Sequence, residues 1–208
     1  AQNSQRDQRR HRCRKAQRSG VLKLTIVFAD AEIEKAPEDG EIPLLDAYFY
    51  PDVEGRRGRP DIVHNALTIL RSSLLWNHID VAVCTEHGEI IIPEKNAFVQ
   101  NYLDFMSQVS SLLSGGESEG YKLTRMNFSD FIQSLHADKI VALSPDGDKI
   151  SLRNEILTGG HTVLIIGAFS DGDYSSPVYE LCDSSVSIDD RILTVPEVIM
   201  SVLHELNF

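Results

Sequence analysis

The chain has 208 residues, 42% of them hydrophobic, and a formal net charge of −11. That is enough apolar material to bury one domain-sized core, and no apolar run reaches the length of a membrane span. Residues 1–20 carry seven Arg or Lys against one Asp, about +6, which leaves about −17 on an acidic body ill-suited to broad nucleic-acid binding.

The basic tail is too polar to build a core and predicts a disordered segment, or an addition foreign to the fold. No apolar leader is visible in it. The rest, 21–208, reads as a single domain with an insertion around 79–135. Val21–Phe28 is short and β-branched, hence a strand. Ala29–Asp39 is polar and acidic and predicts a short helix followed by a loop. Glu54–Arg59 is a basic loop. Pro60 can open a helix because its first position needs no amide donor, and Asp61 falls in the positive first turn. Val63, Ala66, Leu67, Leu70 and Leu74 then keep helical spacing to Leu75.

Ile79–Cys84 and Glu89–Ile92 are β-like, and Gly88 between them supplies the positive φ of a hairpin turn. Phe98–Leu113 and Phe128–Leu135 are apolar on one helical face. Lys139–Leu143 predicts a strand ending in a turn at Ser144-Pro145-Asp146-Gly147. Ile150–Leu157 predicts a helix, Thr162–Ile166 a buried strand, and Val186–Ile188 a short strand. Val195–Leu206 predicts a terminal helix with Ile199, Val202, Leu203 and Leu206 inward. Thr194 and Glu197 stand at capping-box spacing at its start. Alternating strands and helices of this kind imply an α/β fold with a mainly parallel sheet flanked by helices.

Cys13, Cys84 and Cys182 are odd in number and widely spaced. They predict neither a disulfide framework nor structural zinc, and they fit a reducing, cytoplasmic setting. Asp189 and Asp190 lack a third ligand, so no metal site is expected. His64, His78 and Trp76 read as packing or surface residues. Three strand ends carry the candidate chemistry: Ala142-Leu143-Ser144, the loop Gly167–Gly172, and the run Ser187-Ile188-Asp189-Asp190-Arg191-Ile192-Leu193-Thr194. Ligands of open α/β sheets gather beyond strand carboxyl ends, and backbone-rich loops can hold a flat base between apolar side chains.

These segments resemble a known family. Ile166-Gly167-Ala168-Phe169-Ser170-Asp171-Gly172, the Ser187–Thr194 run and Arg59-Pro60-Asp61-Ile62 are similar to blocks of the archaeal and eukaryotic pseudouridine N1-methyltransferases of ribosome biogenesis, in the SPOUT superfamily. The resemblance implies a C-terminal trefoil knot, a small β-hairpin addition and a homodimer. It implies S-adenosylmethionine as cofactor, held by Leu143, Gly167, Gly172, Ile188, Asp189, Asp190, Arg191, Ile192 and Leu193. It implies that Arg59 contacts RNA and that Asp61 steadies it. Where the family carries arginines on the helix after the hairpin, this chain has Ala97, Gln100 and Asp104, so Gln100 takes an RNA-facing position. A family Asp-Ser-Pro is replaced by Arg71-Ser72-Ser73, and Lys95, Arg125 or the tail would have to compensate. The implied activity is methylation of a pseudouridine in small-subunit rRNA. The alternatives are an assembly factor with little catalysis, or methylation of another RNA such as tRNA. No residue identifies itself as the general base.

Overall fold

The computed structural model describes residues 23–96 and 101–206. Its strands are β1 (Lys23–Ala31), β2 (Ile79–Thr85), β3 (Glu89–Pro93), β4 (Tyr121–Arg125), β5 (Lys139–Asp148), β6 (His161–Gly167) and β7 (Ser184–Val186). They form one sheet in the order β4-β3-β2-β1-β6-β5-β7. The pairs β1–β2, β1–β6, β5–β6 and β5–β7 are parallel, and β2–β3–β4 is an antiparallel meander at one edge. Central β1 is buried at every residue after Lys23, as a strand covered on both faces must be.

The helices are α1 (Pro60–Ser72), α2 (Tyr102–Leu113), α3 (Phe128–Ser134), α4 (Leu152–Ile156), α5 (Val178–Leu181) and α6 (Val195–Leu206). Leu24, Ile26 and Phe28 of β1 face a core shared with α1, α2, α4 and α6, while Val27 and Ala29 face a second core beneath α3 and α5. The alternation of strand side chains thus divides one strand between two layers. Among the described residues no helix is long and apolar enough to cross a membrane.

Several expectations meet the structure directly. Pro60 opens α1, and Val63, Ala66, Leu67 and Leu70 are buried along it. The hairpin turn holds Gly88 at φ 81°. Phe98 and Gln100 lie outside the described residues, as do Cys13 and the whole basic tail; the helix is described from Tyr102, with Asn101 accepting from the Asp104 amide at 2.9 Å. At α6, Glu197 accepts from the Thr194 amide and hydroxyl, both at 2.8 Å, which is the back-reaching half of a capping box.

Other expectations are corrected. Leu74 lies past the end of α1 and is 90% exposed, because the chain leaves helical geometry at Ser73. The short helix expected within Ala29–Asp39 does not form. The strand runs to Ala31 across an irregularity at Asp30 (φ 54°), and the next stretch is pinned by a Lys35–Leu44 bridge. β4 and the short α5 were not expected. Val186–Ile188 is shifted to a strand over Ser184–Val186. Ser144–Gly147 falls within β5 and does not end it. β5 continues to Asp148, and both Leu143 and Asp148 align with Val186 across an irregular register. Gly147 permits that course: a Cβ there would lie 2.6 Å from the Val186 carbonyl carbon and 2.7 Å from its nitrogen. On α6, Val202 is fully buried and Leu203 only partly so, packed at the core margin.

Candidate functional site

The three strand-end loops converge on one cleft of about 560 Å³ beyond the carboxyl ends of β5 and β6. Of the residues expected there, Leu143, Gly167, Gly172, Ile188, Asp189, Arg191, Ile192 and Leu193 line it. Arg59 and Asp61, assigned above to a different ligand, line the same cleft from the start of α1. Asp190 does not line it. Its carboxylate pairs with Lys149, while residues 189 and 191 close on each other.

That closure is local. Asp189 accepts from the Arg191 amide at 2.9 Å and from its guanidinium at 3.1 and 3.2 Å. The pairing holds the Asp189 carboxyl below its ordinary range and raises the arginine. A carboxylate so held is a weak proton acceptor. Asp189 is thus committed to Arg191, and Asp190 is paired with Lys149 and does not line the cleft.

Arg59 and Asp61 form a bidentate pair, Nε to Oδ1 at 2.8 Å and Nη2 to Oδ2 at 2.9 Å. The hydrogen bond to Asp61 raises the guanidinium pKa further. The pair fixes the plane of the arginine while leaving it over a third exposed at the rim of the cleft. The neighbouring arginines are engaged elsewhere. Arg57 is bidentate to Glu34 at 2.8 and 2.7 Å, and Arg56 turns inward beside Glu32 and Glu86. Lys95 donates to the Trp76 carbonyl at 2.8 Å, and Arg125 to the Leu113 carbonyl at 3.3 Å.

Sequence reasoning missed the supports of the Gly167–Tyr174 loop. Asp30 and Glu32, at the end of β1, are buried. Asp30 accepts from the amides of Ser175 and Ser176, and Glu32 from the Ser170 amide at 2.8 Å. The Tyr174 hydroxyl donates to the Leu143 carbonyl at 2.6 Å, tying two of the three loops together, and burial raises its pKa. Phe169 lines the cleft and lies over Gly167, where a Cβ would fall 2.5 Å from the ring. The nearest neighbour that demands glycine at 167 is therefore this ring. The available signal was two acidic residues directly after the most apolar strand, where a carboxylate must find donors.

His64 packs against the rings of Tyr102 and Phe105 at 5.3 Å, Trp76 is buried, and His78 is exposed. Among the described residues no group of three or more His, Cys, Asp or Glu is arranged to hold a metal. Cys84 is buried and Cys182 half-buried, and both are free thiols.

Comparison with known proteins agrees with this geometry. The chain is 30% identical over 156 residues to the ribosomal RNA small subunit methyltransferase Nep1 of Methanothrix thermoacetophila, covering 71% of this chain and 69% of that one. It is 24% identical over 207 residues to the Thermoplasma acidophilum protein of the same name, covering 83% and 91%. The crystal structure of Archaeoglobus fulgidus Nep1 bound to S-adenosylhomocysteine shares the fold, with TM-score 0.73 and 24% identity over 88% of this chain and 97% of that one. The family model for the EMG1/NEP1 methyltransferase matches residues 26–207, and the chain belongs to that family.

Proposed function

We propose that this protein is an S-adenosylmethionine-dependent RNA methyltransferase that methylates N1 of a pseudouridine in small-subunit rRNA. One observation carries the reading: the three strand-end loops and the Arg59–Asp61 pair face a single cleft. A donor loop and a substrate-holding arginine must share a cavity if a group is to pass between their ligands.

The cleft suits the donor. Its volume falls in the range of a cofactor pocket, and Leu143, Ile166, Ile188 and Leu193 offer apolar faces to a base. Asp171 and Asp173 line it with carboxylates that suit a cationic ligand, while Asp61 and Asp189 are paired with Arg59 and Arg191. When bound, S-adenosylmethionine supplies an electrophilic methyl group on a sulfonium. The chain's own residues then act mainly by position. Tyr174 fixes the β5 loop against the β6 loop, Glu32 and Asp30 hold the latter by its amides, and Arg59 presents a fixed fork of donors to a phosphate or a base edge. Pseudouridine is joined through carbon and keeps a free N1–H; with that proton passed to solvent, its N1 lone pair would be free to accept the methyl group and S-adenosylhomocysteine would leave. Positioning of this kind is worth far more than one modest proton transfer.

The family implies a trefoil knot through the donor loops and a homodimer, and both belong to the proposal. α6 offers Met200, 63% exposed, and the partly exposed Leu203 at the core margin as contact residues. A cytoplasmic setting agrees with two free thiols.

A second reading, an RNA-binding assembly factor with little catalysis, draws on one observation. Ala97, Gln100 and Asp104 stand where the family carries arginines, so the contacts that would seat a substrate RNA for methyl transfer are altered. Calorimetric titration with S-adenosylhomocysteine tests the donor half of the proposal. It is expected to show one site per chain, and no heat at millimolar ligand would overturn it.

A further inference from the structure

Arg56 stands in the basic loop that leads to Arg59, where an RNA contact is the natural expectation. Its side chain goes the other way. The guanidinium carbon lies 4.2 Å from the centre of the Phe169 ring, within cation–π range. Nη1 donates to the Asp173 carbonyl. Nε is 3.6 Å from Glu32 Oε1 and Nη2 is 3.4 Å from Glu86 Oε1. Both carboxylates hold the same loop themselves: Glu32 accepts from the Ser170 hydroxyl at 3.0 Å, and Glu86 from the Ser175 hydroxyl at 3.2 Å. One arginine thus meets the end of β1, the β2–β3 hairpin turn and two points of the Gly167–Tyr174 loop.

The stack continues inward. Arg56 covers Phe169, Phe169 covers Gly167 and meets Tyr174 edge-on at 5.5 Å, and Tyr174 meets Tyr179 at 5.6 Å. Glu32 is fully enclosed, so the guanidinium is also its compensating charge. Nε and Nη2 are themselves buried and make no hydrogen bond. An arginine drawn outward to a phosphate would leave Glu32 uncompensated.

We propose that Arg56 is a positioning residue of the donor loop: it sets Phe169 and the Gly167–Asp173 backbone against the cleft, and it does not contact RNA. The proposal rests on the reading of the cleft as the donor site. It divides the basic loop into two roles, with Arg56 serving the donor and Arg59 the substrate.

Arg56→Lys separates the parts. Lysine keeps a cation beside Glu32 but loses the planar stack and the geometry toward Asp173. The variant is expected to melt close to wild type and to bind S-adenosylhomocysteine roughly tenfold more weakly, the scale of one partly desolvated cation–π contact. In a Phe169→Leu background the same change should add little, because the two residues act through one contact. Arg56→Gln should leave RNA affinity and its salt slope unchanged, where loss of a phosphate contact would lower the slope by about one unit. Amide exchange over residues 167–174, measured without ligand, should quicken in Arg56→Lys. Wild-type donor affinity and wild-type exchange in that variant would overturn the assignment, as would a flattened RNA salt slope in Arg56→Gln. If the wild-type protein itself binds no S-adenosylhomocysteine, the donor reading fails, and the exchange measurement still decides whether Arg56 holds the loop.

Discussion

Gly147→Ala adds one methyl group at the crossing of β5 and β7, against the backbone of Val186 and Ser187. The new Cβ would lie 2.6 Å from the carbonyl carbon of Val186, 2.7 Å from its nitrogen and 2.8 Å from the Ser187 nitrogen. All three are backbone atoms, so no side chain can swing aside. Relief requires β5 and β7 to part by several tenths of an ångström. Overpacking of this kind costs about 1–3 kcal/mol, and three backbone contacts place it in the upper half of that range. For a chain of this size each kcal/mol moves Tm by about 2–4 °C, so a fall of roughly 4–12 °C is expected. Ser187–Leu193 leaves directly from the displaced strand, so donor affinity should fall as well. Gly115→Ala is the control. Its φ is 85° with nothing within 4 Å, so it should lose about 1 kcal/mol to backbone strain and leave donor affinity alone. Thermal unfolding and calorimetric titration measure both quantities. A Gly147→Ala protein with wild-type Tm and wild-type affinity would refute the close crossing.

Arg59→Ala should weaken RNA binding by about 1–3 kcal/mol without touching donor affinity, and Asp61→Ala should reproduce part of that loss by freeing the guanidinium; filter binding that shows neither effect would return the pair to a helix-start role. Glu155 accepts from Lys139 at 2.6 Å and from the Ser184 hydroxyl at 2.6 Å, which hold its pKa below the ordinary value. A depressed carboxyl contributes stability above its unfolded pKa and loses it as pH falls through the lower folded value, so Glu155→Gln should lower Tm at pH 7 and narrow the gap to wild type below about pH 4. Removing residues 1–20 should weaken RNA binding and flatten its salt dependence by about one unit per phosphate contact; equal slopes would make the tail a bystander. Val202 is buried in its own core, so Leu203→Asp is the better probe of the dimer, and light scattering should show a monomer with weakened donor binding.

The legible parts of the sequence were those where one local rule acts alone. β1 and β6 were visible because strands covered on both faces are continuously apolar, and α6 because its period and its Thr194–Glu197 pair agree. Arg59 and Asp61 were legible because two residues apart at a helix start they can hardly avoid each other. What escaped depended on partners distant in sequence. The Ser144–Gly147 segment has turn composition, yet β5 runs through it to Asp148, with Leu143 and Asp148 on either side both aligned with Val186 of β7. β4 is only half buried and charged at Lys122 and Arg125, so edge pairing with β3 alone makes it a strand. Arg56 reads as a basic-loop residue until Glu32, Glu86 and Phe169 are placed around it. Asp190 shares a motif with Asp189 but not a direction, which only the Lys149 pairing reveals.

Transfer of a labelled methyl group from S-adenosylmethionine to short small-subunit rRNA fragments tests the central claim most directly. Paired fragments would carry pseudouridine or uridine at each candidate position. The account predicts label in a pseudouridine fragment alone, recovered after digestion as a nucleoside methylated at N1, and lost with Arg59→Ala at limiting RNA. A protein that binds S-adenosylhomocysteine in the cleft yet labels no fragment would contradict it and favour the assembly-factor reading.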